Sequence, residues 1–362
     1  MGRRHRLSAI MRSLFKTSSL LPLLAGAALA IVAFESAGGA RPVAAPIATA
    51  PVPFDGSLSV LTYNVHGLPW PFAKGRPAAF RQIAARLAAL RAEGTAPQIV
   101  VMQEAFTHAA AQIGHEAGYP YVVYGPAAGQ RGAPADSSAG EAFLAHAHWT
   151  RGETEGPLLD SGLVILSDYP IVAAETVAYP RDACAGYDCL ANKGAVLARV
   201  AIPGLATPID IVTTHLNCRE RTGVAVTRAD QAYARELATL TAFVARAHDP
   251  HLPLIVAGDF NVGKSAPRNA MIAATTAQLG ARPALATMVA DGQPLPADAL
   301  FSWRKNKDLQ LAVSSPEVSL AVEGIATPFG HGDDGAMLSD HVGYVARYRL
   351  TPTSLAPGAS ST

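Results

Sequence analysis

Five times along this chain an apolar, β-branched run meets, at one end, a polar residue able to do chemistry. SVLTYNVHG carries Asn64, QIVVMQEAF carries Glu104 and IDIVTTHLN carries His215. LIVAGDFNV delivers Asp259 and Asn261, and SDHVGYVARY opens on Asp340 and His341. A single such residue is ordinarily a cap or a turn residue. Strands of one sheet share an edge, however, so this recurrence constrains the chain to a fold that gathers the ends at one place. The runs Ser57–Val65, Gln98–Gln103, Gly162–Leu166, Gly194–Ile202, Ile209–His215, Leu254–Ala257 and Val342–Leu350 read as strands. Between them, Phe80, Ile83, Leu87 and Leu90 mark one face of a helix over Pro77–Glu93 that stops at Gly94. A second helix is expected from an N-cap at Thr227 to Ala247, with Leu237, Leu240 and Val244 inward. Gln130–Glu155 lacks periodicity and reads as a long surface loop. No repeat of solenoid or propeller length occurs, so mixed strands and helices point to an α/β layered sandwich. With 49% hydrophobic and 16% charged residues, a disordered chain is excluded.

The D-x-N pair is the sharpest local clue. Alternation along a strand places Asp259 and Asn261 on one face while Phe260 turns away. A carboxylate beside an amide suits hard cations and phosphate oxygens, and Glu104 and Asn64 add further oxygens. Magnesium needs only one or two protein carboxylates, so magnesium is the expected metal. Cysteine and histidine do not cluster at zinc-ligand spacing.

The ends of the chain read differently from its middle. Arg3, Arg4, Arg6, Arg12 and Lys16 precede an apolar run over Leu20–Phe34 and small residues at Ser36–Ala40. That order is expected of a secretory signal peptide over residues 1–40; an uncleaved anchor is the alternative. A Pro/Ala linker over 41–56, a folded domain over 57–350 and a disordered tail over 351–362 would follow. Beyond the leader, 24 basic side chains stand against 27 acidic ones, unlike a basic protein that coats duplex DNA. Export permits a disulfide among Cys184, Cys189 and Cys218, leaving one thiol; Cys184–Cys189 or a link to Cys218 are both open.

Taken in order, TYNVHG, MQEAF, SGLVILSDYPI, THLN, GDFNV and SDH resemble the endonuclease/exonuclease/phosphatase superfamily across about Leu58–Leu350. That resemblance implies the DNase I-like fold, a four-layered α/β/β/α sandwich. SGLVILSDYPI, CLANKGAVLARV and THLN followed by a polar loop and a long helix further resemble bacterial neutral sphingomyelinases.

The resemblance implies metal-assisted hydrolysis of a phosphodiester. Glu104 would be the main metal ligand, with Asn64 and Asp259 completing the shell; Mg2+ is expected, with Mn2+ or Co2+ as substitutes. His341 would be the general base, titrating near neutral pH. Asp308, in KDLQL where the family carries D-Y-I, would orient it. Asn261 would hold water or phosphate, and His215 would donate to the phosphate. Asp340 would bind a metal-bound water or support its loop. Lys193 would add charge near the phosphate or stay solvated.

A phospholipid, with sphingomyelin foremost, is the expected substrate of a monomeric, secreted or periplasmic enzyme with peripheral membrane contact. A nuclease or a phosphoinositide phosphatase on the same scaffold is the alternative, and an inactive binding module a remoter one. Arg219, Glu220, Arg221 and Arg228 offer only a mixed-charge surface for nucleic acid. The aromatics that sphingomyelinases carry on a hairpin before SDH are reduced here to Phe329. Trp70 and Phe72, in LPWPF, read as a packed loop, with a membrane contact as the alternative.

Overall fold

The computed structural model describes residues 53–135 and 137–353; the expected leader, most of the linker and most of the tail lie outside them. Twelve strands form two six-stranded sheets. In the first, β1 (Ser57–Asn64), β2 (Ile99–Gln103), β3 (Tyr121–Tyr124), β4 (Val164–Ser167), β11 (Val318–Phe329) and β12 (Gly343–Pro352) run in the order β11-β12-β1-β2-β4-β3. In the second, β5 (Ile171–Ala178), β6 (Gly194–Val200), β7 (Ile209–His215), β8 (Leu254–Asp259), β9 (Arg282–Pro283) and β10 (Asp308–Val313) run β5-β6-β7-β8-β10-β9. Among these pairings, β1–β2 and β7–β8 are parallel.

Strand alternation produces the layers. Val60, Ile99, Val101 and Ile165 of one sheet meet Val196, Ile211, Ile255 and Ala257 of the other in one buried cluster. Their sequence neighbours Leu61, Val100, Met102 and Leu166 face outward, against Phe80, Ile83 and Leu87 of the helix Arg76–Ala92. On the far side, Leu197, Val212, Leu254 and Val256 pack against Tyr233, Leu237, Leu240 and Val244 of the helix Val226–Ala247. The result is the α/β/β/α order. No described helix is long and apolar enough to cross a membrane.

Several local expectations are corrected. The segment Gln130–Glu155 is not a plain loop: it holds the helix Ser138–Ala145, capped by the Ser137 side chain, and buries Phe143 and Glu153. Thr227 is not an N-cap; the helix starts at Val226, and Asp230 accepts from Arg268 at 2.7 Å instead. Trp70 and Phe72 are 70% and 51% exposed, so their loop leaves them in solvent rather than packed. Phe329 is buried and stacks on Tyr63 with ring centroids 4.9 Å apart.

Cys184 and Cys189 are bonded, closing the short turn that carries Tyr187 and Asp188, and Cys218 is free. Thiol titration of the denatured, unreduced protein should therefore find one reactive thiol; three would contradict the bridge.

Candidate active site

The inward parity that buries the core also builds the site. Continuing the alternation past the apolar residues, Asn64 ends β1, His215 ends β7, Asp259 ends β8 and Asp308 begins β10, all on inward positions. Pairing then aligns them: His215 is in register with Asp259, and Asp259 with Asp308. Polar contacts replace apolar ones just below, where Gln103 donates to Thr213 across the sheets at 3.1 Å. Gln310 donates to the Val60 carbonyl at 3.0 Å. The sandwich thus opens at this end into a cleft of about 460 Å³.

His341 lies between two buried carboxylates. Its Nδ1 is 3.0 and 2.9 Å from the Asp308 oxygens, and its Nε2 is 3.7 Å from Asp259 Oδ2. Burial works against its positive charge, but Asp308 and then Asp259 override it and raise its pKa to about 10. Burial also works against Asp259, yet the charges of His341 and His215 hold it down at about 2. Burial raises Asp308 above the usual carboxylate range against the pull of His341. His215, 3.6 Å from Asp259, is pushed down to about 3 by burial and by Lys193, so it is neutral at physiological pH. The near-neutral titration expected of His341 is therefore not what its flanking carboxylates produce.

Glu104 stands opposite. Asn64 Nδ2 donates to Glu104 Oε1 at 2.9 Å and to Asp259 Oδ2 at 3.0 Å, while Asn64 Oδ1 accepts from the His66 amide at 2.9 Å. Asn64 thus presents its nitrogen, not its oxygen, to the two carboxylates and orients them. Glu104 Oε2 is buried with no hydrogen-bond donor, and burial raises the Glu104 pKa against the Asn64 bond and the His341 charge. An orphaned carboxylate oxygen in such a place fits a cation. Single ligand atoms of Glu104, His215 and Asp259 lie within 4.8 Å of one another, as do those of Asp259, Asp308 and His341. A set dominated by carboxylate oxygen suits a hard divalent ion.

Asn261 lines the cleft; its amide N–H donates to Asp259 Oδ1 and its Nδ2 to the Leu216 carbonyl, both at 2.9 Å. Lys193 is buried rather than solvated, with its ammonium 2.6 Å from Asp188 and 3.0 Å from the Leu216 carbonyl. Asp340 is at the rim, between His66 at 3.0 Å and Arg221 at 3.4 Å. The His66 hydrogen bond, opposed by burial, holds its carboxyl well below the usual range.

Sequence reasoning missed two participants. His66, the last polar residue of TYNVHG, faces both Asp340 and, at 4.0 Å, Glu104. Arg268 is wholly buried and clamps two site loops, donating to the Asn217 carbonyl at 2.7 Å and the Asn261 carbonyl at 2.9 Å. A buried arginine inside an Ala-rich helix carries no motif; its only signal is its charge on a face that should be apolar. Backbone strain marks the same place. Of the four described non-glycine residues with positive φ, three are His66, Glu104 and Asn261, and such conformations persist where the surroundings over-determine them. Gly67 is required here because a Cβ would lie 1.9 Å from the Glu104 carbonyl oxygen.

The sequence over residues 61–341 matches the Endonuclease/Exonuclease/phosphatase family. The chain belongs to that family. Solved structures share the fold of this endonuclease/exonuclease/phosphatase chain. Sphingomyelinase C from Streptomyces griseocarneus is 23% identical with a TM-score of 0.53, covering 80% of this chain and 99% of its own. A beta toxin variant from Staphylococcus aureus with bound magnesium ions is 16% identical with a TM-score of 0.54, covering 80% and 99%. SmcL is 16% identical with a TM-score of 0.52, covering 82% and 100%. No curated sequence matches the chain.

Replacing Asp308 by Asn removes the larger of the two charges that hold the proton on His341. In metal-free protein, NMR titration of the imidazole should find a midpoint near 10 in the wild type and a clearly lower one in Asp308→Asn. An unchanged midpoint would assign the effect to Asp259. A raised histidine pKa stabilises the fold fully below its unfolded value of 6.5, and the gain is lost as pH climbs toward about 10. That loss should be smaller in Asp308→Asn.

Proposed function

We propose that this chain is an exported phosphodiesterase that hydrolyses a phospholipid, with sphingomyelin as the foremost substrate and Mg2+ as the metal, replaceable by Mn2+ or Co2+. The observation that carries the reading is the cleft's division into a polar floor and an apolar wall. His341, Asp259 and Glu104 form the floor, with Asp308 behind His341, and Leu68, Phe106, Leu159 and Leu190 also line the cleft. The likeness to a sphingomyelinase C supports it.

Glu104 would hold the metal, with Asp259 beside it and Asn64 fixing both carboxylates. A divalent cation bound there would stabilise charge on the phosphoryl and leaving oxygens. His341 does the proton work: Nδ1 is committed to Asp308, so only Nε2 is free to take a proton from the attacking water. A base must be neutral when it acts, so positive charge beside Asp259 is needed to lower the proton affinity of His341. Asn261 and neutral His215 line the space where phosphate oxygens would sit and offer hydrogen bonds to them. Asp340 supports its loop through His66 and Arg221. Phe72, which lines the cleft, and Trp70 on the same loop are both exposed and would supply the contact with a lipid surface, since buried apolar area drives interfacial binding.

The nuclease alternative is weakened by how its arginines are engaged. Arg228 holds Glu153 at 2.8 Å and stacks over Phe143 at 3.8 Å, and Arg219 faces Asp230 at 3.4 Å.

Offered sphingomyelin, phosphatidylcholine, phosphoinositides and plasmid DNA in parallel with magnesium, the purified protein should release a soluble phosphate ester from sphingomyelin fastest. DNA cleavage without lipid turnover would overturn the reading. EDTA should abolish activity, and magnesium or manganese should restore it better than zinc. His341→Ala should lower kcat at least ~100-fold, the low end for general acid–base catalysis. The double variant Trp70→Ala/Phe72→Ala should lose turnover on vesicles yet keep hydrolysis of a soluble diester; equal losses on both would remove the membrane role.

A further inference from the structure

The balance of charge in the cleft singles out one cation. Lys193, Arg221 and Lys307 are the lysines and arginines that line it. Lys193 is neutralised by Asp188 at 2.6 Å, and Arg221 reaches Asp340 at 3.4 Å. His341 answers Asp308, at 2.9 Å. Lys307 has no ion pair and no side-chain hydrogen bond among the described residues, although the buried carboxylates of Asp259 and Asp308 lie close by in the chain and across the sheet.

Its backbone is fixed nonetheless. The Phe260 amide donates to the Lys307 carbonyl at 2.7 Å, and the Gly263 amide to the Asn306 carbonyl at 2.8 Å. Asn306, with φ of 51°, turns the chain out of the helix Ala297–Lys305, and Asp308 starts β10 directly afterwards. Lys307 thus precedes the regular alternation of the strand, on a turn zipped to the GDFNV loop that carries Asn261. It is an ammonium on a rigid mount, acting on Asp259 and Asp308 by its charge but bonded to neither. An ammonium with three donors on a four-carbon stem suits oxygens that share a negative charge and shift as a reaction proceeds.

We propose that Lys307 binds a non-bridging oxygen of the substrate's phosphate and, with Asn261 and His215 beside it, forms an anion subsite. The proposal rests on the phosphodiester reading for its substrate but not for its chemistry, because inorganic phosphate presents the same oxygens. The competing role is that of a counter-charge for Asp259 and Asp308, with no contact to ligand.

The test measures the dissociation constant of inorganic phosphate by isothermal titration, in EDTA and in magnesium, for wild type, Lys307→Met, Lys307→Arg and Lys305→Met. Kinetics on a soluble diester accompany it. Lys307→Met should weaken phosphate binding at least about tenfold in both conditions, the loss expected for one charged hydrogen bond. It should raise KM by a similar factor with an unchanged melting temperature. Lys307→Arg should retain most of the binding, and Lys305→Met, an exposed lysine on the preceding helix, should match wild type. Undiminished phosphate binding in Lys307→Met overturns the proposal, as does a variant that shifts only melting temperature or pH dependence. Equal loss in Lys305→Met overturns it too, since the effect would then be diffuse charge. Lys307-dependent phosphate binding in a protein that hydrolyses no diester would uphold the subsite while ending the proposed function.

Discussion

Asp259 and Asp308 face each other in register on neighbouring antiparallel strands, both almost wholly buried. Two carboxylates so placed repel, and each has lost its water. His341 makes the arrangement tenable, meeting Asp308 through Nδ1 at 2.9 Å and facing Asp259 through Nε2 at 3.7 Å. Removing one member of a buried charge set typically costs about 3–5 kcal/mol, because the others are left uncompensated. The SDH turn, the start of β10 and the end of β8 are therefore held together by the same charges that the proposed chemistry uses.

A second layer of buried cations holds the loops behind them. The Leu216 carbonyl accepts from Lys193 at 3.0 Å and from Asn261 at 2.9 Å. Arg268 takes the Asn217 and Asn261 carbonyls and stacks over Tyr233 at 4.1 Å. Loop carbonyls at a strand end have no ladder partner, and leaving them unpaired in a buried place is costly. Lys193 and Arg268 satisfy them, which lets the chain keep Asn261 in a left-handed conformation that asparagine tolerates better than most residues. Lys193 lines the cleft, and its ammonium is held there by Asp188 and the Leu216 carbonyl rather than solvated.

What could be read from the sequence followed from periodicity. β7 has the bounds expected, and β1, β2, β6, β8 and β12 differ by a few residues at their ends, because each is buried on both faces or alternates cleanly. Three of the five strands that escaped notice have physical reasons to do so. β5 is an edge strand with four consecutive exposed residues, IVAAETVA, and so shows no alternation. β11 is interrupted by register shifts at Val322/Gly324 and Ala326/Phe329. In β10 the inward positions Asp308 and Gln310 are polar, so the apolar stripe of Leu309 and Leu311 marks its helix-facing side. Asp308 was found through family likeness despite the Leu309 that follows it. His66 and Arg268 could not be found so, since their partners are distant in the chain.

The cleft is asymmetric. One wall comes from strand ends and is polar because inward positions there meet across an opening where the sheets no longer touch. The other comes from the loops after β1 and β2 and from the disulfide-closed turn, and it is apolar because Phe106 and Leu159 form a small cluster with Leu68 and Ala191 against it. Apolar side chains kept beside a charged floor gain little from water, so they favour a ligand with an apolar part next to an anionic one. Phe329 cannot serve as a contact outside this cleft, being stacked on Tyr63 beneath the sheet. Two exposed aromatics, Trp70 and Phe72, stand on the loop that follows Asn64 and His66, so the proposed lipid contact and cation site would share one short stretch of chain.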